Sequence, residues 1–426
     1  MQVAIIGAGI IGVTTAYELA SQGHEVTVYE RRAAVATETS FANAGVVAPG
    51  YVTPWAAPGM PWKVLRHLLS AHAPVRLSGR GAITELPWLW RWWRACRPQV
   101  YTQNRSAMQR LAHFSRDRLQ AITQLLRLDY EQAQGVLVLL RRERDLALAQ
   151  TGLKLLAEQG IAHKVLDAAG CRAVEPGLNA AMPVHAAIHL PQDGVGNCRQ
   201  FAHLLKSEAQ RLGAQFHFDT AVLGLRPGPR PTLVLRRGID AAAAVADAGA
   251  FDAIVVCAGA QANKLLTPIG LKLPLAAIHG YSVTAPLRHV DGHPDLGPRS
   301  ALIDEQYKVA ISRLGRRVRV AGSAEVGGLP DQFHPGALRT LYKVLDDWFP
   351  GAALAAQAQH WKGARPMLPD GPPVLGPSGA AGIWLNLGHG SSGWALACGS
   401  ASVLAAALGG HEPPLDLDRL GIARLR

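Results

Sequence analysis

A strand that ends in Gly7-Ala8-Gly9-Ile10-Ile11-Gly12 and passes at once into a helix leaves a chain few folds to choose from. The apolar run Gln2–Ile6 precedes the glycines, Ile10–Ser21 has helical spacing, and Glu25–Tyr29 reads as a second strand. Together they make a βαβ unit. Its glycines permit a tight turn, close approach of a pyrophosphate, and close packing of helix on strand. The helix N-terminus adds backbone N–H groups and a dipole that favours negative charge. Glu30 closes the second strand, where a carboxylate can accept from ribose hydroxyls. A glycine-rich turn in an ordinary βαβ unit would explain the glycines but not the acid at that place.

The fingerprint alone does not separate FAD from NAD, because both carry the same AMP-pyrophosphate half. Further segments favour FAD. Arg31 and Arg32 follow the acid, and Ser40, Asn43, Ala44 and Gly45 offer small polar groups and backbone donors to phosphate and flavin. A buried strand at Ala253–Cys257 ends in Ala258 and Gly259, small residues suited to backbone crossing near a dinucleotide, and Val222 is placed with this set. Gly388, His389, Gly390, Ser391, Ser392, Gly393 and Trp394 lie between the strand Gly382–Leu387 and the helix Gly393–Leu408. Such a loop aims a helix N-terminus at an electron-rich ring edge, where it stabilises the negative charge of a reduced flavin.

The chain has 426 residues, too many for one ordinary core, so two intertwined domains are expected. The sequence predicts helices over most of Trp62 to Leu156, with a tryptophan- and arginine-dense piece at Pro87–Arg97, and a loop at Val46–Pro61. It predicts a strand at Val184–Leu190, a turn at Asp193–Asn197, a helix at Arg199–Leu212 and a strand through Phe218. Ala241–Ala250 reads as an alanine-rich connection, strands dominate from Leu273 to Ala324, and a helix follows at Gly336–Trp348.

A hydrophobic share of 49% against 17% charged residues describes a packed globular chain rather than a disordered one. No apolar stretch of transmembrane length runs without glycine or charge, and Met1–Ala20 lacks the basic start of a secretory signal. The five cysteines are scattered, with no C-x-x-C, which argues for a reducing compartment, the cytoplasm, and against a thiolate metal site. His185 and His189 stand four apart near Asp193, but on a strand that spacing gathers no metal site, and no metal is expected. The net charge of +12 comes from short arginine blocks that solvated faces explain, so no nucleic-acid partner is expected.

Read together, these segments resemble the D-amino-acid oxidase superfamily of FAD amine oxidoreductases over nearly the whole chain. More narrowly, Pro49 to Gly59, Trp361 to Pro373, His279-Gly280-Tyr281-Ser282, Ala321 to Gly328 and Leu387 to Trp394 resemble the bacterial D-amino-acid dehydrogenase small-subunit family. Two departures stand out: Ser391-Ser392 where Thr-Leu is typical, and His279 where lysine is commoner. The resemblance implies an α/β fold with a Rossmann-like FAD domain and a mixed, mainly antiparallel substrate domain. The FAD domain is expected at 1–50, 190–268 and 366–426, and the substrate domain, with a helical insertion, at 51–189 and 269–365.

It further implies oxidation of a D-amino acid, with glycine, sarcosine, D-hydroxyproline or another imino acid as the alternative substrate, and transfer of electrons to a quinone-type respiratory acceptor. Arg365 is implied as the group that pairs with the substrate carboxylate, a task suited to a planar guanidinium; a structural tie is the alternative. Tyr51, Tyr307 and Tyr281 are the candidate phenols over the pocket, although buried tyrosines often only satisfy a core hydrogen bond. Trp88, Trp90, Trp92 and Trp93 with Arg91 and Arg94 suit either peripheral contact with the inner face of the cytoplasmic membrane or a helix packed on its neighbour.

Overall fold

The computed structural model describes residues 1–67, 70–79, 81–238, 245–291 and 296–425. Its first sheet has six strands, in the order Val374–Pro377, Ile383–Leu387, Ala253–Val256, Gln2–Ile6, Glu25–Tyr29 and Gln215–His217. All neighbours are parallel except the Val374–Pro377 edge. A parallel sheet is covered on both faces, which is why Val3 to Ile6 and Ala253 to Val256 are unbroken apolar runs. One face carries the first helix, Ile10–Ser21, wedged between the last helix, Gly393–Leu408, and the helix Cys198–Arg211. The other face is covered by an antiparallel meander of Thr220–Arg226, Thr232–Arg237 and Val245–Ala248.

Wedging explains why the first and last helices are buried nearly all round. The last helix is long and apolar enough to cross a membrane, yet most of it is buried against the first helix and the 29-residue helix Pro98–Leu126. Glu18, buried on the first helix, is matched by Arg118 of that long helix at 2.7 Å.

The second sheet has ten strands, with the path Gln359–Met367, Ala276–Pro286, Arg317–Val326, Val309–Leu314, Ala301–Asp304, Ala133–Leu140, Ala186–Val195 and Val46–Val47. Most neighbours are antiparallel; Ala301–Asp304 pairs parallel with Ala133–Leu140. The helix Pro335–Trp348 packs on one face through Leu341, Val344 and Trp348. The molecule is thus the expected α/β arrangement of a parallel dinucleotide-type sheet and a mixed, mainly antiparallel one.

Several local expectations are corrected. The region Trp62 to Leu156 is not helical throughout: Ala133–Leu140 is a central strand. Its run Val136 to Leu140 is buried on both sides, and a continuous apolar run carries no period that separates strand from helix. The expected turn at Asp193–Asn197 is entered only after Val195, because Gly194 and Val195 still pair with Val46 and Val47. The expected connection at Ala241–Ala250 contains the strand Val245–Ala248; residues 241–244 lie outside the described residues. The domain boundaries at 189/190 and 365/366 each fall inside a strand of the large sheet, and Val46–Val47 belongs to that sheet as well.

All five cysteines are unpaired and buried. Burial pushes the thiols of Cys198 and Cys257 up to about 12.

Candidate active site

A cavity of about 2140 Å³ lies between the two sheets and takes its walls from both. On the first wall, Gly7 adopts φ +100°, and a side chain there would meet the Cys257 carbonyl at 2.8 Å. Gly12 is behind it: a Cβ would sit 1.8 Å from the Gly7 carbonyl oxygen, so only glycine lets the helix lie this close to the strand. Gly9, Ile10 and Ile11 line the cavity, and the helix carries no acidic residue in its first turn to oppose an anion.

Glu30 also lines the cavity, but its carboxylate accepts from the backbone N–H of Ala8 at 2.7 Å and of Arg32 at 2.9 Å. Burial raises its pKa, against the lowering by those two bonds. Arg31 and Arg32 line the same end and both pair with Glu38. Ser40 accepts from the Ile10 N–H at 3.0 Å, so its hydroxyl caps the helix as well as lining the cavity. Asn43, Ala44 and Gly45, then Val222, Cys257, Ala258 and Gly259, complete this wall.

Gly388 to Gly393 form the loop and short 3-10 turn that lead into the last helix, and all of them with Trp394 line the cavity. His389 is buried, with Nε2 2.9 Å from the Ser400 hydroxyl, and burial pulls its pKa down to about 3. It stays neutral at working pH. Of the expected cofactor set, Ala8 and Gly12 do not line the cavity; Ala8 is engaged by Glu30 and Gly12 by packing.

The residues present fit a dinucleotide flavin. The wall is made of glycines that a Cβ would fill, a helix N-terminus and the Glu30 carboxylate. It also holds Asn386, which donates to Thr15 at 2.9 Å while its Oδ1 is buried without a partner among the described residues. Gly7, Gly9, Glu30, the Asn43–Gly45 segment and the Gly388–Gly393 loop would hold FAD, which supplies the redox chemistry.

On the second wall, Arg365 comes from the strand Gln359–Met367. Its Nη1 donates to the Ser323 carbonyl at 2.7 Å, and no carboxylate pairs with it among the described residues. Burial lowers its pKa to about 10. The guanidinium lies over Gly280, where a Cβ would come within 2.2 Å of Nη2. His279 beside it is 5% exposed, with Nδ1 unpartnered among the described residues. Burial and Lys362 lower its pKa, against Glu325, so the imidazole is neutral.

The three expected phenols have different fates. Tyr51 lines the cavity and donates to Glu305 at 2.7 Å, while Lys308 donates to the Tyr51 oxygen at 3.2 Å. Tyr281 lines the cavity, but its hydroxyl donates to Glu325, which also pairs with Lys362 at 2.7 Å. Tyr307 does not line the cavity at all. It packs under the Arg141 guanidinium, 5.1 Å from its ring, with Arg141 held by Asp304 and Asp347. It stands in the turn after Ala301–Asp304, and its N–H is tied to Asp304 at 3.0 Å, which fixes it on the far side of that turn.

Glu305, Lys308 and Asn386 are site residues that spacing did not reveal. The first two meet Tyr51 only through a contact of long sequence separation. Asn386 carried a usable signal, a lone amide in the buried strand Ile-Trp-Leu-Asn-Leu.

A family model described as FAD dependent oxidoreductase (DAO) matches residues 2–407. A protein named D-amino acid dehydrogenase from Rhizorhabdus wittichii is 43% identical over 428 residues, covering all of both chains. One of the same name from Cereibacter sphaeroides is 42% identical over 429 residues, covering all of this chain and 95% of its own. Glycine oxidase from Geobacillus kaustophilus shares the fold, with a TM-score of 0.75 at 20% identity over 99% of this chain and 98% of that one.

Proposed function

The chain belongs to the DAO family of FAD-dependent oxidoreductases, and from that premise we propose that it oxidises D-amino acids to 2-oxo acids and ammonia. Relatives named D-amino acid dehydrogenase at 42–43% identity support the substrate class. The observation that carries the reading is Arg365: a partly buried guanidinium in the wall of the cavity with no carboxylate partner among the described residues. A buried cation without a partner is costly, and a substrate carboxylate removes that cost while a two-point pair fixes the molecule's orientation.

When bound, FAD would supply the acceptor, at its N5, for a hydride from the substrate Cα; an amine oxidised in that way gives an imine that water hydrolyses to the 2-oxo acid and ammonia. Arg365 holds the carboxylate, and the Tyr51 hydroxyl, held by Glu305 and Lys308, borders the same space. Neutral His279 adds no second positive charge beside Arg365, which leaves the amino group free of extra repulsion. Hydride transfer from a neutral amine needs orientation and exclusion of water more than a strong base.

The electrons pass on to a quinone-type acceptor, and the protein works from the cytoplasm at the inner face of the membrane. In support, the helix Leu86–Ala95 divides its tryptophans: Trp88 and Trp92 are buried, whereas Trp90 and Trp93 are 57% and 51% exposed with rings 4.9 Å apart. Trp62, Leu65, Ile83 and Leu86 are exposed nearby in sequence, with Lys63, Arg66, Arg91 and Arg94 among them, the mixture that suits an anionic lipid interface.

The test is anaerobic flavin bleaching with D- and L-amino acids, glycine, sarcosine and proline derivatives. Bleaching by D-amino acids is expected. Bleaching by imino acids alone would transfer the proposal to that substrate class, and no bleaching would reject amine oxidation. For the interface, sedimentation with vesicles containing anionic lipid should capture the parent protein and release the Trp90→Ser/Trp93→Ser variant; equal capture of both rejects this surface.

A further inference from the structure

Three consecutive carbonyls of the segment Asn43–Gly45 are each taken by a donor from a different part of the chain. Arg319 Nη1, from the strand Arg317–Val326, donates to the Asn43 carbonyl at 3.0 Å. The Ser312 hydroxyl, from Val309–Leu314, donates to the Ala44 carbonyl at 2.7 Å. Trp394 Nε1, from the last helix, and the Gly196 N–H both donate to the Gly45 carbonyl, at 3.1 and 2.8 Å. The Asn43 side chain accepts from the Gly45 N–H at 3.0 Å. The N–H groups of Asn43 and Ala44 are left with no protein acceptor among the described residues, on a segment that lines the cavity. Backbone donors find a partner in protein, water or a ligand, and for these two only the cavity side is left to supply it.

We infer that Arg319, Ser312 and Trp394 are positioning residues that turn the Asn43–Gly45 carbonyls away from the cavity, so that two backbone N–H groups are presented to the bound flavin cofactor. Arg319 does more than hold a loop. It is 6% exposed and has no carboxylate partner among the described residues; its other bond goes from Nε to the Thr284 hydroxyl at 2.9 Å. Its charged neighbours are Arg317, Arg199 and Glu131, and Glu131 is already paired with Arg317 at 2.7 Å. Positive charge is therefore in excess directly behind the segment. Fixed donors backed by uncompensated positive charge stabilise an electron-rich ligand more than a neutral one, so this device favours the reduced cofactor and raises its potential. The inference goes beyond the proposed substrate and does not depend on it.

The experiment measures the flavin midpoint potential and the FAD dissociation constant of the purified parent, Ser312→Ala and Arg319→Gln. Neither readout uses an amino acid, so failure here is separate from failure of the proposed reaction. Ser312→Ala should shift the potential to more negative values and raise the FAD Kd about tenfold, the equivalent of roughly 1.4 kcal/mol. Arg319→Gln, which keeps an amide donor and removes the charge, should shift the potential further, while Arg319→Lys restores part of it. An unchanged potential in Ser312→Ala overturns the inference, even where thermal stability falls. That variant leaves Arg319 in place, so it decides the question if Arg319→Gln fails to fold.

Discussion

On the cofactor wall the groups that face the cavity are mostly backbone, set by glycines and a helix N-terminus, whereas on the substrate wall they are charged and phenolic side chains held by one another. The first kind of wall tolerates no added atom: Gly7 and Gly12 have carbonyl oxygens where a Cβ would go. The second tolerates loss of an atom group without collapse, because its networks are redundant; Glu325 alone receives Lys362, Tyr281 and Ser78. The walls should therefore fail differently, one by loss of cofactor and fold, the other by loss of substrate affinity.

The largest effect is expected for Gly12→Ala. The 1.8 Å clash with the Gly7 carbonyl forces the helix off the strand, and overpacking of this kind costs about 1–3 kcal/mol or more. Flavin absorbance per mole of purified protein should fall to near zero; a fully yellow variant would break the distinction between the walls. Arg365→Ala should keep its flavin and raise KM about a hundredfold, as loss of a charge-assisted pair does. Loss of flavin with KM unchanged in the remaining holoenzyme would move Arg365 to the cofactor wall.

A smaller effect concerns Asp193, buried on the substrate side, where it accepts from the Gly50 N–H at 3.2 Å and so helps to hold the turn carrying Tyr51. Burial pushes its carboxyl up to about 7, outweighing that bond and Arg116. In the unfolded chain the group ionises near pH 4 or just below. Its burial thus weighs on stability progressively as pH rises from about 4 to about 7, and not at all below that window. Asp193→Asn should melt higher than the parent at pH 8 and equal it at pH 4. A difference that is constant with pH would place the effect elsewhere. The smallest change is expected for Tyr281→Phe: about 1–2 kcal/mol of stability, with KM within about twofold of the parent. A large rise in KM would return Tyr281 to the substrate site.

The same contrast explains what was legible in the sequence. The cofactor wall comes from contiguous segments in which turn, helix start and acid lie within thirty residues, so local chemistry announces it. Arg365 and Tyr51 were legible as cavity residues through the resemblance of their surrounding motifs. The place of Tyr307 was not, nor was the bond that ties up the Tyr281 hydroxyl, because which face of a strand or turn a phenol occupies and what it meets depend on pairings between distant segments. Tyr281 meets Glu325, and Tyr307 meets Arg141, only once the large sheet has closed. The Ala133–Leu140 strand was hidden for a related reason, since a doubly covered strand has no alternation to read.

The burial of all five cysteines gives the molecule a built-in reporter. Each thiol belongs to a different stretch of chain: two on helices flanking the first helix, one at the end of a central strand, one beside the Trp-rich helix and one under the large sheet. In the native state a thiol-reactive dye should find almost nothing to label, so labelling followed residue by residue becomes a clock for opening. Cys96, the most accessible at 8%, should react first, and Cys171, Cys198 and Cys398 only when their whole neighbourhood comes apart.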